Sequence, residues 1–311
     1  MLGEMDALEE AAMTTPVTVG FDGSPEADAA VDWAAQEAVH RERPLRIVYA
    51  WEWQPYRLTL MDARTERHWV RHVPHQAASA LAGRYPRLEV TAEVLGGAPV
   101  PTLLSESNGS ELLVLGSRAL SAWHGFVIGS VAQSIVAHST GPVALVRAST
   151  EVSEAAAAAE SGPAPEPAER EVVLGVDLDN PSDDLMSFSF ATAARRAAPL
   201  HVVHGWKALA PVLPDTAHLG HEHKEHLAHK EEERLSEALR PWADTYPDVT
   251  VREDSHAGST ADHLVNCSRD AQLLLVGRRA PGLHLGARIG HVTHAAMHHS
   301  AAPVIVVPHN E

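Results

Sequence analysis

The sequence repeats itself. LLVLGSRALSAWHGFVIGSVAQSIVAHSTGPVALV from Leu112 is matched by LLLVGRRAPGLHLGARIGHVTHAAMHHSAAPVIVV from Leu273. Gly116 maps to Gly277, Gly129 to Gly290 and Pro142 to Pro303 without insertion or deletion. Two loops of one length imply one ancestral site present twice, and a chain of 311 residues divides naturally into two domains, each able to bury a full core.

Short β-branched apolar runs alternate with longer Ala-rich stretches, the pattern of parallel strands joined by crossover helices. The first half offers strands over 17–21, 45–49, 88–95, 112–115 and 143–146. The second offers 172–176, 200–204, 249–253, 273–276 and 304–307. The expected division is a disordered tail over 1–14, a first domain over 15–148, a linker over 149–170 and a second domain over 171–309. The stretch from Ser149 to Glu171 carries six Glu, one Arg, three prolines and an alanine run, a composition that favours an extended, solvated connection.

Charge and cysteine content exclude several classes. With 41 acidic against 24 basic residues the formal charge is −17, which disfavours nucleic acid and anionic membrane surfaces as partners. The single cysteine allows no internal disulfide, and the acidic start MLGEMDALEE lacks a secretion signal's basic and apolar regions. The expectation is a cytoplasmic protein without a membrane span.

Two segments carry chemistry. Asp22-Gly23-Ser24-Pro25 follows the first strand, with Gly23 suited to a sharp turn, Ser24 to a helix cap and Pro25 to the first helical position. Gly116-Ser117-Arg118-Ala119 follows the fourth strand, and nine residues later Gly129-Ser130-Val131 opens a helix. A glycine leaving the strand gives backbone room for a phosphate. The second glycine presents free N–H groups and a positive helix end to the anion, and Ser130 adds a hydroxyl.

On these residues the chain resembles a tandem universal stress protein. VGFDGSPEADAAVDWAA, the pair LRIVYAW and LHVVHGW, and the closing GPVALV and APVIVV extend the likeness over nearly everything outside tail and linker. The resemblance implies two doubly wound, Rossmann-like α/β domains, each a five-stranded parallel sheet of order 3-2-1-4-5. It also implies pairing of the halves through their last strands as an internal pseudo-dimer, with a homodimer left open. It further implies ATP, with or without Mg, as ligand, little intrinsic catalysis and therefore no enzyme, with occupancy acting as a signal to a regulatory protein partner. Asp22, Gly116, Ser117, Arg118, Gly129, Ser130 and Val131 are the expected nucleotide contacts; no catalytic or metal residue is assigned.

The departures are specific. Ala119 stands where the family motif has its middle glycine; in a left-handed conformation its methyl would cost about 1–2 kcal/mol, roughly tenfold in affinity. In the second copy Asp177 matches Asp22, Leu178-Asp179 replaces Gly23-Ser24, and His291 replaces Ser130. Asp179 would repel a polyphosphate, although Arg278 and Arg279 could offset it, so the second site reads as degenerate. Two other classes compete. One is a slow ATPase or adenylyl transferase, for which no Walker lysine or placed general base is found. The other is a nucleotide-free scaffold that binds proteins.

Several features have blander readings. His218-Leu219-Gly220-His221 matches a nucleotidylyl transferase signature but follows the wrong strand. The run His218, His221, His223, His226, His229 reads as a solvated helix face. Trp33, Trp51 and Trp206 read as core, while Trp123 lies within the loop before Gly129. Cys267, beside Asn266 and without a basic or histidine sequence neighbour, reads as a buried structural thiol.

Overall fold

A computed structural model of the chain describes residues 15–52, 63–117, 128–148, 170–206, 217–279 and 289–309, with backbone alone at 63–69, 71 and 217–224. The tail, residues 149–169 of the linker, Arg118, Ala119 and Trp123 lie outside the described residues.

The described residues form two compact units. The first runs β1 (Val17–Gly20), α1 (Pro25–Arg41), β2 (Leu45–Trp51), α2 (Ala63–Arg84), β3 (Val90–Gly96), α3 (Pro99–Ser107), β4 (Leu112–Ser117), α4 (Ser130–His138) and β5 (Val143–Arg147). The second repeats the series as β6 (Val172–Val176), α5 (Asp183–Arg195), β7 (Leu200–Trp206), α6 (Ala217–Thr245), β8 (Val251–Ala257), α7 (Thr260–Cys267), β9 (Leu273–Arg279), α8 (His291–His299) and β10 (Val304–His309).

All pairings within each unit are parallel, and each sheet has the expected order, β3-β2-β1-β4-β5 and β8-β7-β6-β9-β10. The inner strands are covered on both faces, so they read as unbroken apolar runs rather than alternating ones. Val17, Val19, Leu112 and Val114 are fully buried in the first unit, and Val172, Leu174, Leu273 and Leu275 equally so in the second. Strand order reverses between β1 and β4 and again between β6 and β9, which fixes a crevice at the carboxyl ends of those strands as the place for a ligand.

The strand starts agree with the sequence reading, except that β3 and β8 begin two residues later. There the Tyr85 carbonyl accepts from the Leu88 N–H and the Tyr246 carbonyl from the Val249 N–H, so a turn occupies the first apolar positions. The strand ends run further than read in every case but β1, which stops at Gly20, and β6. The added residues, among them Ser117, Arg147, Arg278, Arg279 and His309, include polar side chains that stand at the carboxyl rim.

Candidate functional site at the carboxyl ends of the strands

In the first unit the rim begins at Asp22, whose Oδ1 accepts the Ser24 N–H at 3.0 Å across a turn made by Gly23 at φ +78°. Ser24 Oγ then accepts the Ala27 N–H at 3.2 Å and caps α1, with Pro25 at the first helical position. Asp22 leaves β1 next to Ser117, each lying two residues beyond the Gly20–Leu115 pair. Ser117 is 1% exposed, and its hydroxyl has no hydrogen-bond partner among the described residues. A buried hydroxyl in that state favours an incoming acceptor or donor.

Gly116 has a packing task besides the one expected of it. A Cβ there would stand 2.5 Å from the Glu26 carbonyl oxygen and 3.0 Å from the Ala27 nitrogen, so its missing side chain lets β4 press against the first turn of α1. It serves helix–strand packing at the same position where room for a phosphate is expected. At Gly129 φ is −59°, nothing among the described residues lies within 4 Å of where a Cβ would stand, and α4 starts there with no side-chain cap. The N–H groups of Ser130 and Val131 therefore open α4 uncapped, unlike those of α1, α5 and α7, which Ser24, Ser182 and Ser259 close.

The second unit rebuilds this rim with altered parts. Asp177 Oδ1 accepts the Asp179 N–H at 3.1 Å, and Asn180 donates to Oδ2 at 3.0 Å. The counterpart of Ser24 is not Asp179, as the direct alignment suggests, but Ser182, which caps α5 through the Leu185 N–H at 3.2 Å after a turn three residues longer. Nor is Asp179 a free negative charge. Arg234 on α6 binds its carboxylate at 3.0 Å and also binds Glu231 at 2.7 Å, which removes much of the expected repulsion. Gly290 repeats Gly129, with φ −61°, nothing among the described residues within 4 Å of a Cβ built there and no side-chain cap on α8.

These residues border a cleft of about 1870 Å³ in the second unit. It is larger than the pockets that usually hold a small ligand. Trp206 lines it and is 7% exposed, with an indole N–H that meets no acceptor among the described residues, so this tryptophan is part of the cleft wall as well as of the core.

Sequence reasoning missed a cation. Arg147 ends β5 on the same rung as Ser117, and withdrawal from water pushes its guanidinium down to about 10, still protonated at neutral pH. In the second unit the equivalent rung pairs Arg278 with Pro308. Arg278 is 2% exposed, and burial likewise lowers it from the ordinary arginine value. Each unit thus places one guanidinium on this rung, half-buried on β5 in one and buried on β9 in the other. The available signal was a single arginine closing an otherwise apolar strand.

A second correction concerns Cys267. Its Sγ lies 3.8 Å from Nε2 of His263, one helical turn earlier on α7. On the histidine-rich α6, by contrast, His229 is exposed and pairs with Glu233 at 3.2 Å.

The model of the universal stress protein family matches residues 13–147 and again 169–308. This chain belongs to the universal stress protein family. Among its relatives in the family, universal stress protein Rv1996 of Mycobacterium tuberculosis is 30% identical over 309 residues, covering 93% of this chain and 94% of its own length. Universal stress protein Mb2028c of Mycobacterium bovis is 32% identical over 300 residues, covering 93% and 96%. A universal stress protein from Archaeoglobus fulgidus shares the fold, with a TM-score of 0.62 at 15% identity over 94% of this chain and 98% of that one. Among the described residues no helix is long and apolar enough to cross a membrane.

Proposed function

We propose that this protein binds ATP at the carboxyl rim of its first unit and that occupancy, rather than turnover, is its output to a regulatory partner in the stress response. One observation carries the reading: the uncapped N-terminus of α4 opens at Gly129 with nothing among the described residues in front of it, at the carboxyl edge of the sheet where Asp22 and a Ser117 hydroxyl without a partner among those residues also end. Free N–H groups at a helix start favour a phosphate. Asp22, Gly129, Ser130 and Val131 would form the contacts, with Ser117 and Arg147 beneath them. The Asp22 carboxylate is engaged in its own turn, which suits a ribose or base contact better than a general base.

A second reading, in which both units bind nucleotide, is favoured by the capture of Asp179 by Arg234 and by the uncapped α8. The two glycines separate the readings. Because nothing among the described residues lies within 4 Å of a Cβ built at either position, Gly129→Val and Gly290→Val should leave the fold intact while filling the approach to each helix end. Calorimetric titration with ATP should give one site, weakened at least about tenfold by Gly129→Val and untouched by Gly290→Val. Two sites, each lost with its own glycine, would establish the second reading, and turnover of labelled ATP would refute the non-enzymatic role.

A further inference from the structure

Away from the rim, the two units differ at one shared position. In the first, Arg46 on β2 donates to Glu93 on β3 at 2.8 Å and also to Glu106 on α3. β7 and β8 pair in the same register as β2 and β3, so His201 stands where Arg46 does and Asp254 where Glu93 does. Counting along the helices from Gly97 and Gly258, whose N–H groups bind the Trp51 and Trp206 carbonyls alike, Cys267 replaces Glu106 and His263 replaces Thr102. An arginine with two carboxylates has become two histidines, an aspartate and a cysteine.

Three of these donors converge, and His263 joins them through Asp254 and Cys267. Asp254 Oδ2 lies 3.1 Å from His201 Nε2 and 2.7 Å from His263 Nε2, and Cys267 Sγ lies 3.8 Å from His263 Nε2. Donor atoms of His201, Asp254 and Cys267 are all within 4.8 Å of one another. Tetrahedral zinc, with bonds of about 2.0–2.3 Å, sets its ligand atoms roughly 3.3–3.7 Å apart, so shifts of about an ångström bring the His201, Asp254 and Cys267 atoms to that spacing, and a rotation of His263 away from its contact with Asp254 supplies the fourth ligand.

The surroundings are those of a ligand set rather than of a chance cluster. His201 Nδ1, the nitrogen turned away from Asp254, lies 3.3 Å from Glu171 Oε2, and Glu171 is itself held by Arg252 at 3.1 Å. The His263 ring is fixed by His256, stacked on it at 4.0 Å and 8°. A carboxylate on the far nitrogen is the usual way an imidazole ligand is oriented. His201 is buried while Asp254, His263 and Cys267 are partly exposed, which gives an ion a way in.

We propose that the second unit binds one zinc-like divalent transition-metal ion through His201, Asp254, His263 and Cys267. Mixed nitrogen, oxygen and thiolate donors suit zinc over magnesium or calcium. Binding releases the Cys267 thiol proton to solvent and replaces the hydrogen bonds around Asp254 with metal bonds. The ion then ties β7, β8 and α7 together, as Arg46 ties β2, β3 and α3.

The test uses the full chain, stripped with a chelator and titrated with zinc in competition with a chromophoric chelator, and with cobalt as a spectroscopic probe. One tight zinc equivalent is expected, and the cobalt form should show tetrahedral bands with a thiolate-to-metal charge-transfer band. Cys267→Ser and Asp254→Asn should weaken binding by roughly 100-fold or more, and Glu171→Gln by about 10-fold. The double variant His226→Ala, His229→Ala should leave it unchanged. Absence of a tight equivalent, a site that survives Cys267→Ser, or one lost only with His226 and His229 would overturn the proposal. Should Cys267→Ser fail to fold, the cobalt spectrum of the unaltered chain decides, since a spectrum without the thiolate band overturns it equally.

Discussion

Arg46 and His201 occupy the same rung of equivalent strands, yet the groups around them differ in kind. Around the arginine stand Glu93 and Glu106, so a permanent positive charge is balanced by carboxylates. Around the histidine stand Asp254, His263 and Cys267, with Glu171 on the far side. A polar position beneath a crossover helix must be satisfied as a group, and replacing its central residue requires the others to follow. The rim shows the same logic. Where Ser117 becomes Arg278, Arg147 becomes Pro308, and each rung keeps one guanidinium.

The comparison can be broken hardest at the glycines of the fourth strands. Gly116→Ala drives a methyl into the Glu26 backbone and should cost about 3 kcal/mol, read as a clear fall in the urea midpoint. Gly277→Ala meets only the His309 and Leu185 side chains, at 3.1 Å, and should cost no more than about 1 kcal/mol. Equal losses would mean that β9 presses on α5 as tightly as β4 presses on α1.

A smaller effect is expected at the polar cluster. Arg46→Ala leaves Glu93 and Glu106 facing each other and should lower stability by about 1 kcal/mol at neutral pH, modest because Glu93 is half exposed. Unfolding in high salt should shrink that difference by screening the two carboxylates; a difference independent of salt would argue for lost packing instead.

The smallest effect separates α8 from α4. Burial, then His298 and His299, hold His294 below the usual histidine value. The unfolded chain therefore binds more protons near this value, and the stability contributed by neutral His294 is complete above about pH 6.5 and is lost as pH falls through the lower folded value. His294→Gln, which copies Gln133 of α4, should flatten the slope of stability against pH in that window. An unchanged slope would assign the acid sensitivity elsewhere.

Much of this architecture was legible because covered parallel strands are written as apolar runs, and the repeat fixed their correspondence. The strand ends were less legible, since Ser117, Arg147 and Arg278 continue the ladder with polar side chains that a hydrophobic pattern does not register. At the rim, the turn at Asp22 and the helix start after Gly129 were legible, but the packing reason for Gly116 was not, because Glu26 comes beside it only in the fold. Ser182 was hidden by a longer turn, which pairwise alignment of the copies passed over. The cluster at Cys267 was hidden because its ligands come from two strands and a helix, although His263 and Cys267 are spaced as neighbours on one helix face.

α7 touches both of these places. Its capping residue Ser259 and its first residue Thr260 border the cleft, while His263 and Cys267 further along belong to the cluster. Eight residues span about 12 Å as one continuous helix. Thermodynamic linkage then binds the two ends: whatever factor an occupant of the cleft applies to affinity at the cluster, an ion at the cluster must return to the cleft.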